Sequence, residues 1–167
     1  MGEAGRDEVF KAWMEAHLGV LHRISRAFAV GADQHDLMQE LMLAVWRAAP
    51  MFRGESAEST FIFRVAHNAA LTWRRRESAH VRRMSDANRR ELETRVHGDD
   101  GEEALLTRLY AAIHTLAPLD RSLMLLSLEG LPYAQIGEIH GLSETNVGAR
   151  LSRTRKKLAS LVEQNHD

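Results

Sequence analysis

The sequence predicts an all-α protein made of two small helical domains joined by a polar linker, the second domain carrying a helix-turn-helix. Apolar residues recur at helical spacing over most of the chain, and no segment alternates as a strand does. Aromatic residues make up only 6% of the chain, and there are three prolines. A polar, acidic segment over 86–103 separates the apolar parts, so we expect domains at 1–85 and 104–167.

The first domain is expected to hold three helices, at about 7–30, at about 33–49 and from about 59 onward. Gly31 is expected to stop the first helix, because glycine readily adopts the conformation that ends helices. Asp33 is expected to cap the second helix with its carboxylate, and Pro50 to end it.

The second domain is expected to hold four helices, at about 103–116, 119–128, 132–140 and 143–164. Pro118 and Pro132 lie near the expected starts of two of them, where a missing N–H costs little. The sequence Gly141-Leu142-Ser143 interrupts the apolar spacing, and Ser143 can cap the last helix.

The last helix is predicted to be amphipathic and basic. Its apolar side carries Val147, Leu151, Thr154 and Leu158. The other side carries Thr145, Asn146, Ala149, Ser152, Arg153 and Lys156, flanked by Arg150 and Lys157. A polar first turn followed by cations suits a helix that enters a major groove and reaches phosphates with its later residues. The alternative is an ordinary helical hairpin with a solvated basic face.

The segment DLMQE places Asp36, Gln39 and Glu40 on one side of the second helix and Leu37 and Leu41 on the other. An acidic and amide surface of this kind can dock a basic partner. Taken by itself, the pattern is more typical of a solvated helix face than of a docking surface.

The stretch 52–76 joins a loop that contains Arg53, Gly54 and Ser56 to a helix with aromatic and basic residues. Aromatic and arginine side chains beside such a loop can stack an unpaired base. Alternatively, Phe61 and Trp73 are core residues and the arginines a solvated helix end; for Trp73 we favour the core.

Several function classes are disfavoured. The sequence lacks the GxSxG, P-loop, HExxH and GxGxxG patterns, so an enzyme is not expected, nor is a cofactor. The nine histidines are scattered and cysteine is absent, so no metal site is expected. No apolar run suits a membrane span or a signal peptide, and the chain is expected in the cytoplasm. The net charge is −1, but cations cluster at residues 74–76, 82–83 and in the last helix.

Together these segments resemble the extracytoplasmic-function (ECF) sigma factors of the sigma-seventy family. The stretch DLMQELMLAVWRAAPMFRGESAESTFIFRVAHNAALTWRRRE is similar to the family's region two, and LAPLDRSLMLLSLEGLPYAQIGEIHGLSETNVGARLSRTRKKL to its region four. The resemblance implies an alternative sigma factor that directs core RNA polymerase to specific promoters.

The resemblance also implies roles for individual residues. Contacts with the β′ clamp helices of core polymerase would be made by Asp36, Gln39 and Glu40. The −10 element would be opened and read by Arg53, Ser56, Phe61, Arg64, Asn68, Arg74 and Arg75. The −35 element would be read by Thr145, Asn146, Ala149, Arg150, Arg153, Lys156 and Lys157. Region four would also hold the β flap, and the family commonly has an anti-sigma factor as a further partner.

The sequence departs from the family pattern at several positions. Tryptophan is common where Phe61 stands, arginine where His67 stands, and threonine at Asn146. Lysine and serine often occupy Gly148 and Ala149. Two other functions stay open: a stand-alone helix-turn-helix regulator, and a helical adaptor that binds neither promoter nor polymerase.

Overall fold

A computed structural model describes residues 3–83 and 101–164. Within these ranges the chain is helical and contains no strand. The elements are α1 (Glu3–Phe28), α2 (Ala32–Ala48), a 3-10 turn (Ala49–Met51), α3 (Glu58–Arg83), α4 (Glu102–His114), α5 (Pro118–Leu128), α6 (Tyr133–His140) and α7 (Glu144–Gln164). The all-α prediction and the predicted helices are confirmed, with boundaries that differ by a few residues.

The first half of the molecule is a three-helix unit in which α1, α2 and α3 pack against one another. Its fully buried side chains come from the apolar side of each helix and include Leu21, Phe28, Leu37, Leu41 and Ile62. Because these positions recur every three or four residues, the helical period in the sequence placed them correctly.

The expected cap of α2 by Asp33 is wrong. The helix begins one residue earlier than expected, at Ala32, and its N-cap is Gly31, which has no side chain to make a capping hydrogen bond. Gly31 adopts a left-handed φ of 57°, so its carbonyl accepts from the amide of Gln34. Asp33 therefore lies inside the first turn, where its carboxylate still faces the positive end of the helix dipole.

The helix-turn-helix depends on a close approach between α6 and the turn that follows it. Gly137 packs so closely that a Cβ there would collide with the carbonyl oxygen of Leu142. Gly141 ends α6 in a left-handed conformation with φ of 68°. The hydroxyl of Ser143 then accepts a hydrogen bond from the amide of Asn146 at 3.2 Å, as the sequence predicted. This turn fixes where α7 begins.

The two halves of the molecule are packed together, and their buried side chains form one continuous core. Helices α4 and α5 lie against α1, and α5 also lies against α3. The guanidinium of Arg121 is buried at this contact, where it donates to the carbonyls of Ala27, His114 and Leu116. Its pKa is lowered to about 10, first by burial and then by the charge of Arg74.

The expected linker lies for the most part outside the described residues, so the division into domains at 1–85 and 104–167 stays a prediction. Among the described helices, none is long and apolar enough to cross a membrane.

Candidate nucleic-acid interface

The loop between the 3-10 turn and α3 forms one wall of an open cavity with a volume of about 430 Å³. Gly54 turns this loop with a left-handed φ of 72°. The cavity is lined by Pro50, Met51, Phe52, Arg53, Glu55, Ser56, Phe61 and Arg64. We call it the loop cavity. The structure therefore brings together four of the residues predicted to read the −10 element.

Phe61 belongs both to the core and to the wall of the loop cavity. Its ring centroid lies 5.8 Å from that of Trp13 and 5.2 Å from that of Phe52. The guanidinium carbon of Arg64 lies 5.9 Å from the ring centroid on the cavity side. Phe61 thus packs against the core and also lines the loop cavity, while its stacking on a base stays a prediction.

Helix α3 extends the cavity surface with a row of exposed polar side chains. Arg64, Asn68 and Arg75 are exposed, and their spacing of four and seven residues places them along one side of the helix. Arg74 is half-buried on another side. Burial is the main cause of the lowered pKa values of His114 and Arg121, and the charge of Arg74 lowers both further. The structure thus separates Arg74 from the row that contains Arg75.

Helix α7 presents most of its predicted DNA-reading residues to solvent. Val147, Leu151 and Thr154 are buried, as the sequence predicted. The opposite side exposes Thr145, Asn146, Ala149, Arg153 and Lys156, which we call the recognition face. The first two of these lie in the first turn, the part of a recognition helix that comes nearest to base edges.

The cations that flank the recognition face are held by other parts of the second half. Arg150 forms an ion pair with Asp120 of α5 at 2.8 Å and is only partly exposed. Lys157 donates to the carbonyl of Thr115 at 3.1 Å. Arg155, which the sequence did not assign to a site, donates to the Tyr133 hydroxyl at 2.9 Å.

Asp36, Gln39 and Glu40 share one side of α2, as their spacing predicted, and we call them the acidic face. Asp36 and Gln39 are exposed. Glu40 is half-buried and pairs with Arg76 of α3 at 3.3 Å. The carboxylate of Asp36 is thus the more accessible of the two.

A group of polar side chains at the contact between the halves was missed by the sequence reading. The hydroxyl oxygen of Ser122 lies 2.6 Å from Nδ1 of His67 and 2.8 Å from Nε2 of His140. The two imidazole rings are almost perpendicular to each other, and their centroids are 6.3 Å apart. The one available signal was that histidine replaces the arginine common at position 67, and it does not reveal the partners. Within the described residues, no group of three His, Cys, Asp or Glu is placed to hold a metal ion.

Comparison with known proteins accounts for both halves. Residues 13–80 match the model of sigma-70 region 2, and residues 106–158 match that of sigma-70 region 4. The chain belongs to the ECF sigma factors of the sigma-70 family. Both matches occur in the predicted order, and they contain the loop cavity and the recognition face respectively.

Curated relatives support the same group. The ECF RNA polymerase sigma factor SigM of Mycobacterium tuberculosis is 27% identical over 95% of this chain and 80% of the relative. The ECF RNA polymerase sigma-E factor of Haemophilus influenzae is 29% identical over 78% of this chain and 75% of the relative. This ECF sigma factor is therefore an alternative sigma factor that directs RNA polymerase to promoters.

Solved structures share the fold. The sigma factor RpoE of Bartonella quintana, in complex with the anti-sigma factor NepR, aligns with a TM-score of 0.72 at 19% identity, over 93% of this chain and 98% of RpoE. CnrH, in complex with the cytosolic domain of CnrY, aligns with a TM-score of 0.66 at 20% identity, over 96% of this chain and 92% of CnrH. Both alignments span the two halves of the sigma factor.

Proposed function

We propose that this sigma factor divides promoter recognition between its halves, the first holding polymerase and the −10 element and the second reading the −35 element. The observation that carries the proposal is the placement of the loop cavity and the recognition face on the halves that match regions 2 and 4. Each surface makes limited DNA contacts, and joining both on one polymerase-bound scaffold raises their effective concentration.

The acidic face is proposed to contact the β′ clamp helices of core polymerase. Asp36 and Gln39 are exposed, and the Gln39 amide lies 2.8 Å from the His35 ring on the same helix, so both side chains can meet a partner without rearrangement of the α2 backbone. Glu40 is proposed to position the face through Arg76, because their ion pair joins α2 to α3.

The loop cavity is proposed to take an unpaired base of the −10 element. Phe61 offers an aromatic face, Arg53 and Arg64 offer guanidinium groups, and Ser56 offers a hydroxyl. Stacking of a base on an aromatic side chain is worth about 1–3 kcal/mol. Asn68 and Arg75, along the same side of α3, would follow the separated strand, whereas Arg74 would reach DNA only after the halves move apart.

The recognition face is proposed to enter the major groove of the −35 element. Thr145, Asn146 and Arg153 would contact base edges, and Ala149 would allow close approach. Lys156 would contact phosphate directly. Arg150 and Lys157 would reach phosphates by exchanging their present partners, Asp120 and the Thr115 carbonyl.

We further propose that the chain acts in the cytoplasm, itself catalyses no reaction and is held inactive by an anti-sigma factor. This last point is supported by the structural similarity to RpoE, which was solved in complex with the anti-sigma factor NepR. Region four is also proposed to hold the β flap of the polymerase.

Run-off transcription with purified core polymerase and genomic fragments tests the proposal. We expect defined transcripts only when core and this chain are both present, and weak binding of the chain alone to the same fragments. Tight fragment binding without core would instead indicate a stand-alone regulator. The absence of both transcripts and fragment binding would indicate a helical adaptor.

A further inference from the structure

We propose that His67, Ser122 and His140 form an acid-sensitive latch that holds the two halves of the free sigma factor together. We call these residues the histidine latch. It joins three helices of the contact, since His67 belongs to α3, Ser122 to α5 and His140 to α6.

The surroundings of the latch favour neutral histidines. The Ser122 hydroxyl bonds to both rings, and its one proton and two lone pairs can serve two neutral imidazoles. His67 is fully buried, and its Nε2 has no hydrogen-bond partner. A proton added to His67 would therefore leave a buried cation with an N–H group that no acceptor meets.

Burial lowers the pKa values of both latch histidines. Burial first, and the charge of His140 second, lower the pKa of His67 to about 3. Burial also lowers the pKa of His140. No carboxylate contributes to either shift among the described residues.

Two arginines also lie at this contact between the halves, whereas the acid there, Glu129, is paired with Arg23 at 2.7 Å. Arg121 of α5 and Arg74 of α3 lie there, and both lower the pKa of His114 of α4 after the larger effect of burial. His114 bonds to the carbonyl of Arg26 of α1 at 2.8 Å. Protonation of any of the three histidines thus adds positive charge to a buried contact that already contains arginine.

The sign of the pH effect follows from these lowered pKa values. When the halves separate, His67 becomes solvated and its pKa returns towards the ordinary value of about 6.5. The closed arrangement is then fully stable above about pH 6.5, and loses stability as pH falls from there towards the lowered pKa. When the pH is lowered from 7.5 to 5.5, protonation of His67 in the open molecules should by itself raise the ratio of open to closed molecules about tenfold.

Fluorescence energy transfer in the free full-length chain measures this opening. The sequence contains no cysteine, so Leu43→Cys on α2 and Glu138→Cys on α6 place one dye on each half. Urea is added at each pH, and helicity from circular dichroism is recorded on the same samples. We expect the halves to separate before helicity falls, at less urea at pH 5.5 than at pH 7.5.

Variants of single histidines test whether the latch causes the pH dependence of opening. His67→Asn keeps an amide that can bond Ser122 but does not titrate, so the open-to-closed ratio should lose about a tenfold pH dependence. His140→Asn provides the same test at a partly exposed position, should His67→Asn fail to fold. His80→Asn, at an exposed histidine on α3, should behave as wild type. The proposal is overturned if the latch variants keep the wild-type pH dependence, or if the halves separate only together with loss of helicity at every pH.

Discussion

Arg23 of α1 and Glu129, just after α5, form a paired hydrogen bond that joins the two halves of the molecule. Nε of Arg23 donates to one carboxylate oxygen at 2.7 Å, and the terminal nitrogen donates to the other at 3.0 Å. The bond with Glu129 raises the pKa of Arg23. Because nearly half of the Arg23 side chain is exposed, water and salt screen the pair, and it contributes modestly to closure.

Glu129→Gln should therefore loosen the contact between the halves without unfolding either one. An exposed ion pair is worth up to about 1 kcal/mol, so the open-to-closed ratio should rise about two- to fivefold. Energy transfer between dyes on the two halves measures the ratio. Exchanging the charges, with Arg23→Glu and Glu129→Arg together, should restore most of the closure. If the double variant stays as open as Glu129→Gln, the loss of closure does not come from the ion pair.

Asn68→Ala and Phe61→Ala should differ in their effect on stability, which must be known before their effects on transcription are compared. The Asn68 side chain is exposed, so Asn68→Ala should change the free energy of unfolding by less than about 0.5 kcal/mol. Phe61→Ala should cost about 2 kcal/mol, less than the roughly 3–5 kcal/mol of a fully buried ring, because Phe61 is only partly buried.

Transcription from promoters with paired and pre-melted −10 regions separates folding from base capture. Asn68→Ala should lower activity about tenfold on both templates if its side chain holds the separated strand. His80→Ala, on the same helix, is the control. If Phe61→Ala loses no more activity than its lower stability explains, its ring has no role in capturing a base.

Asp36→Arg should weaken binding to core polymerase. Its carboxylate is exposed, so reversal of its charge should leave helicity unchanged and place like charges at the proposed contact, lowering affinity at least about tenfold. Glu40 is less suitable for reversal, because Arg76 would lose its partner. Glu15→Arg, at an exposed acid on α1, is the matched control. Equal co-elution of both variants with core would place the polymerase contact elsewhere.

The sequence predicted the helices and the outward-facing sites because both depend on local spacing. The period of apolar residues placed Val147 and Leu151 inside and Asn146 outside. The same reasoning could not place Arg121, which a helical pattern leaves at a solvated position. Arg121 is buried because it meets carbonyls at the ends of α1 and α4. Those of His114 and Leu116 lie within seven residues of Arg121, but that of Ala27 is 94 residues away, and a helical pattern does not reveal it.

The histidine latch could not be predicted from the sequence, for a related reason. His67 and Ser122 are 55 positions apart, and nothing local pairs them. The spacing of histidines within one helix bears on metal binding, but it does not indicate contacts between helices. Their actual role depends on which faces of α3, α5 and α6 meet, and that is decided by packing between the halves.

Gly148→Ala should stabilise the second half. Gly148 lies inside α7, where glycine costs about 0.5–1 kcal/mol relative to alanine. A Cβ there would lie 3.5 Å and 3.6 Å from ring carbons of Tyr133, which is ordinary van der Waals contact. The thermal midpoint should rise by about 2–4 °C. A lower midpoint would mean that the Tyr133 ring cannot accommodate the methyl group.

The recognition face should determine which −35 sequences this sigma factor uses. Asn146 and Arg153 are exposed on α7 and free to reach base edges, so Asn146→Ala or Arg153→Ala should change the preferred sequence. The expected loss is about 1–3 kcal/mol on promoters that supply the matching base. Lys156→Ala should instead weaken binding to all promoters equally. The dependence of affinity on salt concentration should fall by the amount expected for about one phosphate contact.

Selection from a randomised −35 library with reconstituted holoenzyme distinguishes these outcomes. Asp120→Asn is an informative companion, because it releases Arg150 from its ion pair. If Arg150 contacts phosphate, Asp120→Asn should strengthen binding without changing the selected sequence, since phosphates carry no base identity. If Asp120→Asn changes the selected sequence while Asn146→Ala and Arg153→Ala leave it unaltered, Arg150 reads the bases, and the assignment of the recognition face is wrong.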